Sequence, residues 1–362
     1  MIVVVKIGTS SVTGESGELN DRAMVKLCAE IAAARGAGHE VVLVSSGAIA
    51  AGLPALGIVD RPRDVGTLQA VAAVGQPRLM ERFGALFAAH GLVAGQVLLT
   101  PFDFGHRAQY LHARETLARL LELGVVPVVN ENDTVADDEI RYGDNDRLAA
   151  LVAHLVGAEL LVLLTDTSGV FTADPRIDAA ASLIEEILEV DAALEAVAGG
   201  AGTTRGSGGM ASKLAAAKIA AWSGVRAVIA NAQEPDVVLG AIGDSVVGTV
   251  VQPRPHKLSS RKLWIAFARG ASGRVVVDDG ARRALVEGNR SLLPAGVRGV
   301  EGEFEAEDAV EVVDGTGRVF AKGLAGMDAA TLRIVAGRRT DQLPDGVTHE
   351  VVHRDDLVIL PG

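Results

Sequence analysis

Two lysines stand where a charge must have a reason. Lys6 ends the apolar run "MIVVVK" and is followed at once by Gly8, Thr9 and Ser10. Lys213 follows the glycines of "RGSGGMASK", near the start of an apolar, alanine-rich stretch that reads as a helix. A lysine there is disfavoured by the helix dipole, so some other interaction must require it. Glycine lets a ligand approach the backbone, and the N–H groups at a helix start favour anions, so both settings suit phosphate. The spacing is neither that of a P-loop nor that of the dinucleotide glycine pattern. Gly8 and Gly47, each between a strand and a helix, fit either a tight turn or an anion-facing turn.

Other chemistry-bearing residues follow apolar runs in the same way. Ser46 and Gly47 come after "EVVLVS", Asp133 after "VVPVVN", and Thr165 and Asp166 at the end of "LLVLLTD". Between these, "NENDTVADDEIRYGDNDRLAALVA" crowds carboxylates together. Asp137, Asp138 and Glu139 read as a solvated loop. Asp144 or Asn145 serves either as the cap of the helix that follows or as part of a site, and both readings stay open. There is no HExxH, no paired CxxC and no GxSxG, and the eight histidines are scattered, which argues against metal hydrolysis and triad chemistry. Cys28, the single cysteine, fits a small buried hydrophobe, and no disulfide within the chain can form.

These residues need elements to hold them. Continuous β-branched runs alternate with alanine- and leucine-rich stretches, predicting helices over about 21–36, 67–90, 107–123, 145–156 and 210–223 between strands. Strands without polar alternation are those buried on both faces, so the fold class is α/β, a mostly parallel central sheet with helices on both faces. In such sheets ligands bind outside the carboxyl ends of the strands, where the residues above lie. The stretch "QPRPHKLSSRK" reads as a linker over about 252–262, giving domains 1–256 and 263–362. The second part is small and mainly β, with a hairpin expected in "DAVEVVDGTGRVFAKG".

A length of 362 residues suits two domains, and 49% hydrophobic residues give each a core. The net charge of −12 lies almost wholly in the first 256 residues, which argues against nucleic acid as the main partner. With no signal core and no uncharged apolar stretch of about 18 residues, a cytoplasmic protein with no membrane partner is expected.

In the order "VVVKIGTS", "VSSGAIAAG", "NENDTV", "GDNDRLAA", "LLTDTSGVFTADPR" and "GSGGMASK", the chain closely resembles the bacterial glutamate 5-kinases of the amino acid kinase family over about residues 2–250. The part after 263 resembles a PUA domain. The resemblance implies transfer of the ATP γ-phosphoryl group, with Mg²⁺, to the side-chain carboxylate of L-glutamate, the first step of proline biosynthesis. It gives Lys6 and Lys213 the role of neutralising the moving phosphoryl, with Asp146 orienting them. Ser46, Asp133 and Asn145 match glutamate-binding positions. Thr165, Asp166 and the segment Ser207, Gly208, Gly209, Met210, Ala211, Ser212 and Lys213 match the nucleotide site, as Lys6 does in part. Ser207 stands where threonine is frequent in the family. The resemblance further implies proline as a feedback inhibitor, a homo-oligomer (dimer or tetramer) and hand-over of product to glutamyl phosphate reductase. N-acetylglutamate kinases and aspartokinases usually carry two successive glycines after the first lysine, whereas Gly8 is followed by Thr9. The alternatives are one of those relatives, or an RNA-binding regulator acting through the PUA-like part.

Overall fold

Residues 1–14, 18–135, 145–199, 209–243, 245, 247–255, 257–268, 270–344, 346 and 348–360 are described by the computed structural model. The chain divides into two units, Met1–Lys257 and Leu258–Gly362.

In the first unit β1 (Ile2–Ile7) leads through α1 (Thr9–Val12) and α2 (Asp21–Gly36) to β2 (Glu40–Ser45). Then come α3 (Ala48–Ala55), α4 (Val65–Ala88), β3 (Ala94–Leu99), α5 (Pro101–Gly105), α6 (Arg107–Glu122) and β4 (Val126–Glu131). The unit continues with α7 (Asn145–Val156), β5 (Leu160–Thr165), β6 (Glu186–Ile187), α8 (Ala192–Gly199) and α9 (Met210–Trp222), and ends with β7 (Arg226–Asn231), α10 (Val237–Ile242) and β8 (Thr249–Val251). Two of the long helices begin where a side chain satisfies an end N–H. Asn20 caps α2 through Ala23 N, and Asp64 caps α4 through Thr67 N.

The strands form one sheet in the order β3-β4-β2-β1-β5-β7-β8-β6. Pairing is parallel except for β7 with β8. That antiparallel strand and the two-residue β6 are the parts of the sheet that the apolar runs did not predict. β1 lies in the middle, with Lys6 opposite Val44 on β2 and Leu163 on β5. Later strands fall on both sides of the β1–β5 pair, so the order switches there and the crevice opens at the carboxyl ends of these strands. Val3, Val4 and Val5 are fully buried, as are Leu160, Leu161, Val162 and Leu163, which is why both strands read as unbroken apolar runs.

The helix pair beside the crevice is fixed by glycine. A Cβ on Gly75 of α4 would lie 1.8 Å from the Ala48 carbonyl oxygen and 2.5 Å from Gly52 N, and one on Gly52 would lie 2.1 Å from the Val71 carbonyl oxygen. Backbone therefore packs on backbone between α3 and α4, with no room for a methyl group.

The second unit comprises α11 (Ser260–Leu263), β9 (Gly273–Val277), α12 (Asp279–Val286), β10 (Val297–Gly302), β11 (Ala309–Val313), β12 (Val319–Leu324), α13 (Ala329–Val335) and β13 (Leu357–Ile359). α11, capped by Ser259 through Lys262 N, overlaps the end of the stretch that reads as a linker. The sheet order is β10-β9-β11-β12-β13. The β11–β12 hairpin turns through Asp314, whose side chain accepts from Thr316 N and Arg318 N, and through Gly317 at φ +85°. Val275, Val310, Val312, Phe320, Leu332 and Val352 share a separate core.

Candidate active site

Lys6 is the penultimate residue of the central strand, and it is only 3% exposed. An unpaired ammonium buried to that degree is costly. Its Nζ lies 2.5 Å from Asp146 Oδ1. The other carboxylate oxygen, Oδ2, is 3.3 Å from Lys213 Nζ and accepts from Ser212 Oγ at 2.7 Å. Asp146 is fully buried and Lys213 is 5% exposed. One carboxylate thus holds two ammonium groups that sit 207 positions apart in the chain.

Local structure explains how they meet. Asp146 is in the first turn of α7, where the dipole favours a carboxylate. Lys213 is in the first turns of α9, where the dipole disfavours it, and Asp146 offsets that penalty. Burial pushes the Asp146 carboxyl up, but the charges of Lys6 and then Lys213, with hydrogen bonds from Lys6 and Ser212, hold it below the ordinary carboxylate range. The trio carries a formal charge of +1 in a buried setting, which suits a polyanion.

Gly8 follows at the end of β1. Its φ of −82° is open to any residue, so the backbone does not require glycine there. A Cβ would stand 3.4 Å from Lys6 Nζ, and glycine keeps the space around the ammonium clear. Gly47 is different. It begins α3 at φ +114°, in the region that disfavours side chains.

A second set of polar groups lies next to the first. Asn145, one residue before Asp146, is 4% exposed, and the two hydrogens of its Nδ2 are shared among three acceptors, the Ser45 carbonyl oxygen at 2.9 Å, Ser46 Oγ at 2.8 Å and Asn130 Oδ1 at 2.8 Å. Its Oδ1 meets no donor among the described residues. Asp133 lies in the turn after β4 and is half-buried. Burial pushes its carboxyl up to about 6, opposed by the charge of Arg61. Thr165 ends β5 and donates from Oγ1 to Asp166 Oδ1 at 3.1 Å. Gly209 precedes α9, and Met210, Ala211, Ser212 and Lys213 form its first turns, whereas Ser207 and Gly208, along with Asp137, Asp138, Glu139 and Asp144, lie outside the described residues.

The structure therefore brings together Lys6, Asp146, Ser212 and Lys213, and separately Ser46 and Asn145. It also shows residues that the sequence reading passed over. Asn130 links β4 to Asn145, and Gln76 on α4 accepts from Asn130 Nδ2 at 2.9 Å. A glutamine inside the apolar "AVAAVGQPRLM" is the kind of buried polar residue that signals a partner. Among the described residues no group of three or more His, Cys, Asp or Glu side chains converges, and no helix is long and apolar enough to cross a membrane.

The profile of the amino acid kinase family matches residues 1–231, and that of the PUA domain matches residues 273–347. The chain is 48% identical to the glutamate 5-kinase of Myxococcus xanthus and 44% identical to that of Moorella thermoacetica, in both cases over 99% of this chain and 96% of the relative. The glutamate 5-kinase of Nocardia farcinica is 47% identical over 98% of this chain and 96% of its own length. Among solved structures, an isopentenyl phosphate kinase covers 70% of this chain with a TM-score of 0.51 at 20% identity, its whole length being matched. Carbamate kinase from Giardia lamblia bound to AMP-PNP covers 70% of this chain and 98% of its own, with a TM-score of 0.51 at 16% identity. These last two are similar in fold.

Proposed function

The chain belongs to the amino acid kinase family and, within it, to the glutamate 5-kinases, and from that premise we propose that its crevice transfers the γ-phosphoryl group of ATP to the side-chain carboxylate of L-glutamate. The products are ADP and L-glutamyl 5-phosphate, and the reaction opens proline biosynthesis. The observation that carries this reading is the pair of ammonium groups held on one buried carboxylate, Lys6 and Lys213 on Asp146.

In the reaction a glutamate carboxylate oxygen bonds to the γ-phosphorus as the bond to the β,γ-bridging oxygen breaks, and ADP leaves with that electron pair. No proton changes hands. A glutamate side chain titrates near 4.3, so at neutral pH it is already the nucleophile and no general base is needed. The obstacle is one anion approaching another, and the remedy is positive charge fixed in advance. At about 4 Å, each ammonium attracts a unit of phosphoryl charge by roughly 4 kcal/mol at an effective dielectric near 20, before desolvation. Asp146 keeps the two lysines adjacent despite their repulsion.

Mg²⁺ enters in this reading as part of the nucleotide substrate, held by phosphate oxygens and water. The Asp146 carboxylate is committed to two ammonium groups and a hydroxyl. Thr165, Asp166 and the first turns of α9 are assigned to the nucleotide; Ser46, Asp133 and Asn145 are assigned to glutamate. Support for these assignments is their position at the carboxyl ends of β2, β4 and β5 and at the start of α7 and α9. Inhibition by proline, homo-oligomerisation, hand-over of the acyl phosphate to a reductase and a cytoplasmic location belong to the same proposal and rest on the family resemblance.

The test is ADP release from ATP and Mg²⁺ with L-glutamate, L-aspartate, N-acetyl-L-glutamate and UMP in turn, with hydroxylamine trapping any acyl phosphate. Turnover and hydroxamate are expected with L-glutamate. Turnover on another acceptor in its place would overturn the assignment.

A further inference from the structure

A run of buried side-chain amides leads away from the crevice, and its hydrogen-bond polarity is fixed at two points. At one end Asn130 Oδ1 accepts from Glu131 N at 2.9 Å, and a backbone N–H can only donate. At the other, Asn145 Nδ2 donates to the Ser45 carbonyl oxygen, which can only accept. Beyond Asn130 the directions follow from these two. Asn130 must turn its Nδ2 to Gln76 Oε1, so Gln76 turns its Nε2 outward, where it donates to Gln96 Oε1 at 3.0 Å. Asn145 donates to Asn130 Oδ1, and its own Oδ1 is a buried acceptor lacking a donor among the described residues. Gln76, Asn130 and Asn145 are all buried, and Gln96 is exposed.

A buried carbonyl without a donor is costly unless a ligand supplies one. The α-ammonium group of glutamate is such a donor. We propose that Gln76, which does not itself touch substrate, is a positioning residue: through Asn130 it holds the Asn145 amide with its carbonyl oxygen toward the ammonium group of glutamate. This rests on the reading of the crevice as a glutamate site. Gln76 is set deep enough for the task because Gly75, the residue before it, brings α4 into backbone contact with α3.

Replacing Gln76 by methionine keeps the length and removes the acceptor of Asn130 Nδ2, so the Asn130 amide is left anchored through its oxygen alone. Steady-state kinetics of Gln76→Met should show glutamate KM raised about tenfold, the equivalent of one buried hydrogen bond, with ATP KM within about twofold of wild type. The inhibition constant of glutarate, which has no ammonium group, should stay unchanged. Gln76→Glu retains an acceptor for Asn130, and Gln96, being exposed, can turn to donate. Its glutamate KM should therefore stay within about twofold of wild type. An unchanged glutamate KM in Gln76→Met, an equal rise in ATP KM, a matching loss of glutarate affinity, or a Gln76→Glu variant tenfold impaired for glutamate would each overturn the proposal. Should Gln76→Met fail to fold, Gln76→Glu decides alone. A wild-type enzyme inactive on glutamate would instead overturn the substrate assignment itself, and the two failures are distinct.

Discussion

Asn145 and Asp146 are consecutive in α7 yet serve two different halves of the crevice. Asn145 bonds to Ser45, Ser46 and Asn130 at the ends of β2 and β4. Asp146 bonds to Lys6 of β1 and to Ser212 and Lys213 of α9. A single helix start therefore fixes the distance between the set assigned to the acceptor and the set assigned to the phosphoryl group. For an in-line transfer that distance matters more than any one contact.

Replacing Asp146 by asparagine should separate stability from chemistry. The variant leaves two buried ammonium groups without their carboxylate, and breaking a buried pair costs about 3–5 kcal/mol, to be read from denaturant unfolding at neutral pH. The Asp146 carboxyl is depressed in the fold, so its stabilising effect is present above the ordinary carboxylate range and fades as pH falls through the depressed value. The penalty of Asp146→Asn should shrink in the same window.

Lys6→Met should behave in the opposite way. It removes one of two like charges and leaves Asp146 paired with Lys213, so stability should stay within about 1 kcal/mol of wild type. Turnover should nevertheless fall by about 10² or more, each 1.4 kcal/mol of lost transition-state stabilisation being tenfold. Near-normal kcat would remove Lys6 from the mechanism.

Three glycines should rank by geometry. Gly75→Ala drives a methyl group into the Ala48 carbonyl and should destabilise by about 3 kcal/mol. Gly47→Ala, at φ +114°, should cost about 1–2 kcal/mol. Gly8→Ala meets no backbone strain and should melt like wild type, but its methyl stands against the Lys6 ammonium where phosphate oxygens must approach, so kcat should drop. Thermal unfolding and glutamate turnover on the three variants test the order.

Asp133 supplies a pH dependence. Its carboxyl is pushed up to about 6 by burial, so the folded chain binds this proton more tightly than the unfolded chain does. Stability from this group is full below the unfolded carboxyl value and declines as pH rises toward 6. Asp133→Asn should therefore be the more stable form above pH 6. If the ionised carboxylate receives the glutamate ammonium group, glutamate KM should rise as pH drops through about 6 in wild type and lose that inflection in Asp133→Asn.

The central strands and long helices were legible because burial on both sheet faces leaves a local mark: "IVVVK" and "LLVLLT" are unbroken apolar runs, and the predicted helix over 21–36 is α2. Lys6 was legible as a polarity break at a strand end. β6 was not, since Glu186–Ile187 is too short to show a period. Gly8 was read for its backbone, whereas its geometry concerns the side chain of Lys6. The polar break at Gln76 was legible, but its partner Asn130 was not, for a deeper reason. Their meaning lies in α4 meeting β4 across 54 positions, a pairing that no local pattern encodes.

The stretch 252–257 looks like a connector in sequence, yet its Arg254 and Lys257 pack on the first unit. Arg254 N donates to the Ala221 carbonyl oxygen at 2.9 Å, its guanidinium lies 4.2 Å from the centre of the Trp222 ring, and Lys257 packs on Gly224. A chain cut after Val251 would strip this cover from the end of α9, the helix that presents Lys213. A chain ending at Lys257 keeps it, along with every residue assigned to the site. The 1–257 fragment should fold and turn over glutamate within about tenfold of the full chain, whereas the 1–251 fragment should be less stable by about 1–3 kcal/mol, the order of a lost cation–π contact and backbone hydrogen bond. A 1–257 fragment that is folded yet inactive would assign part of the chemistry to the second unit.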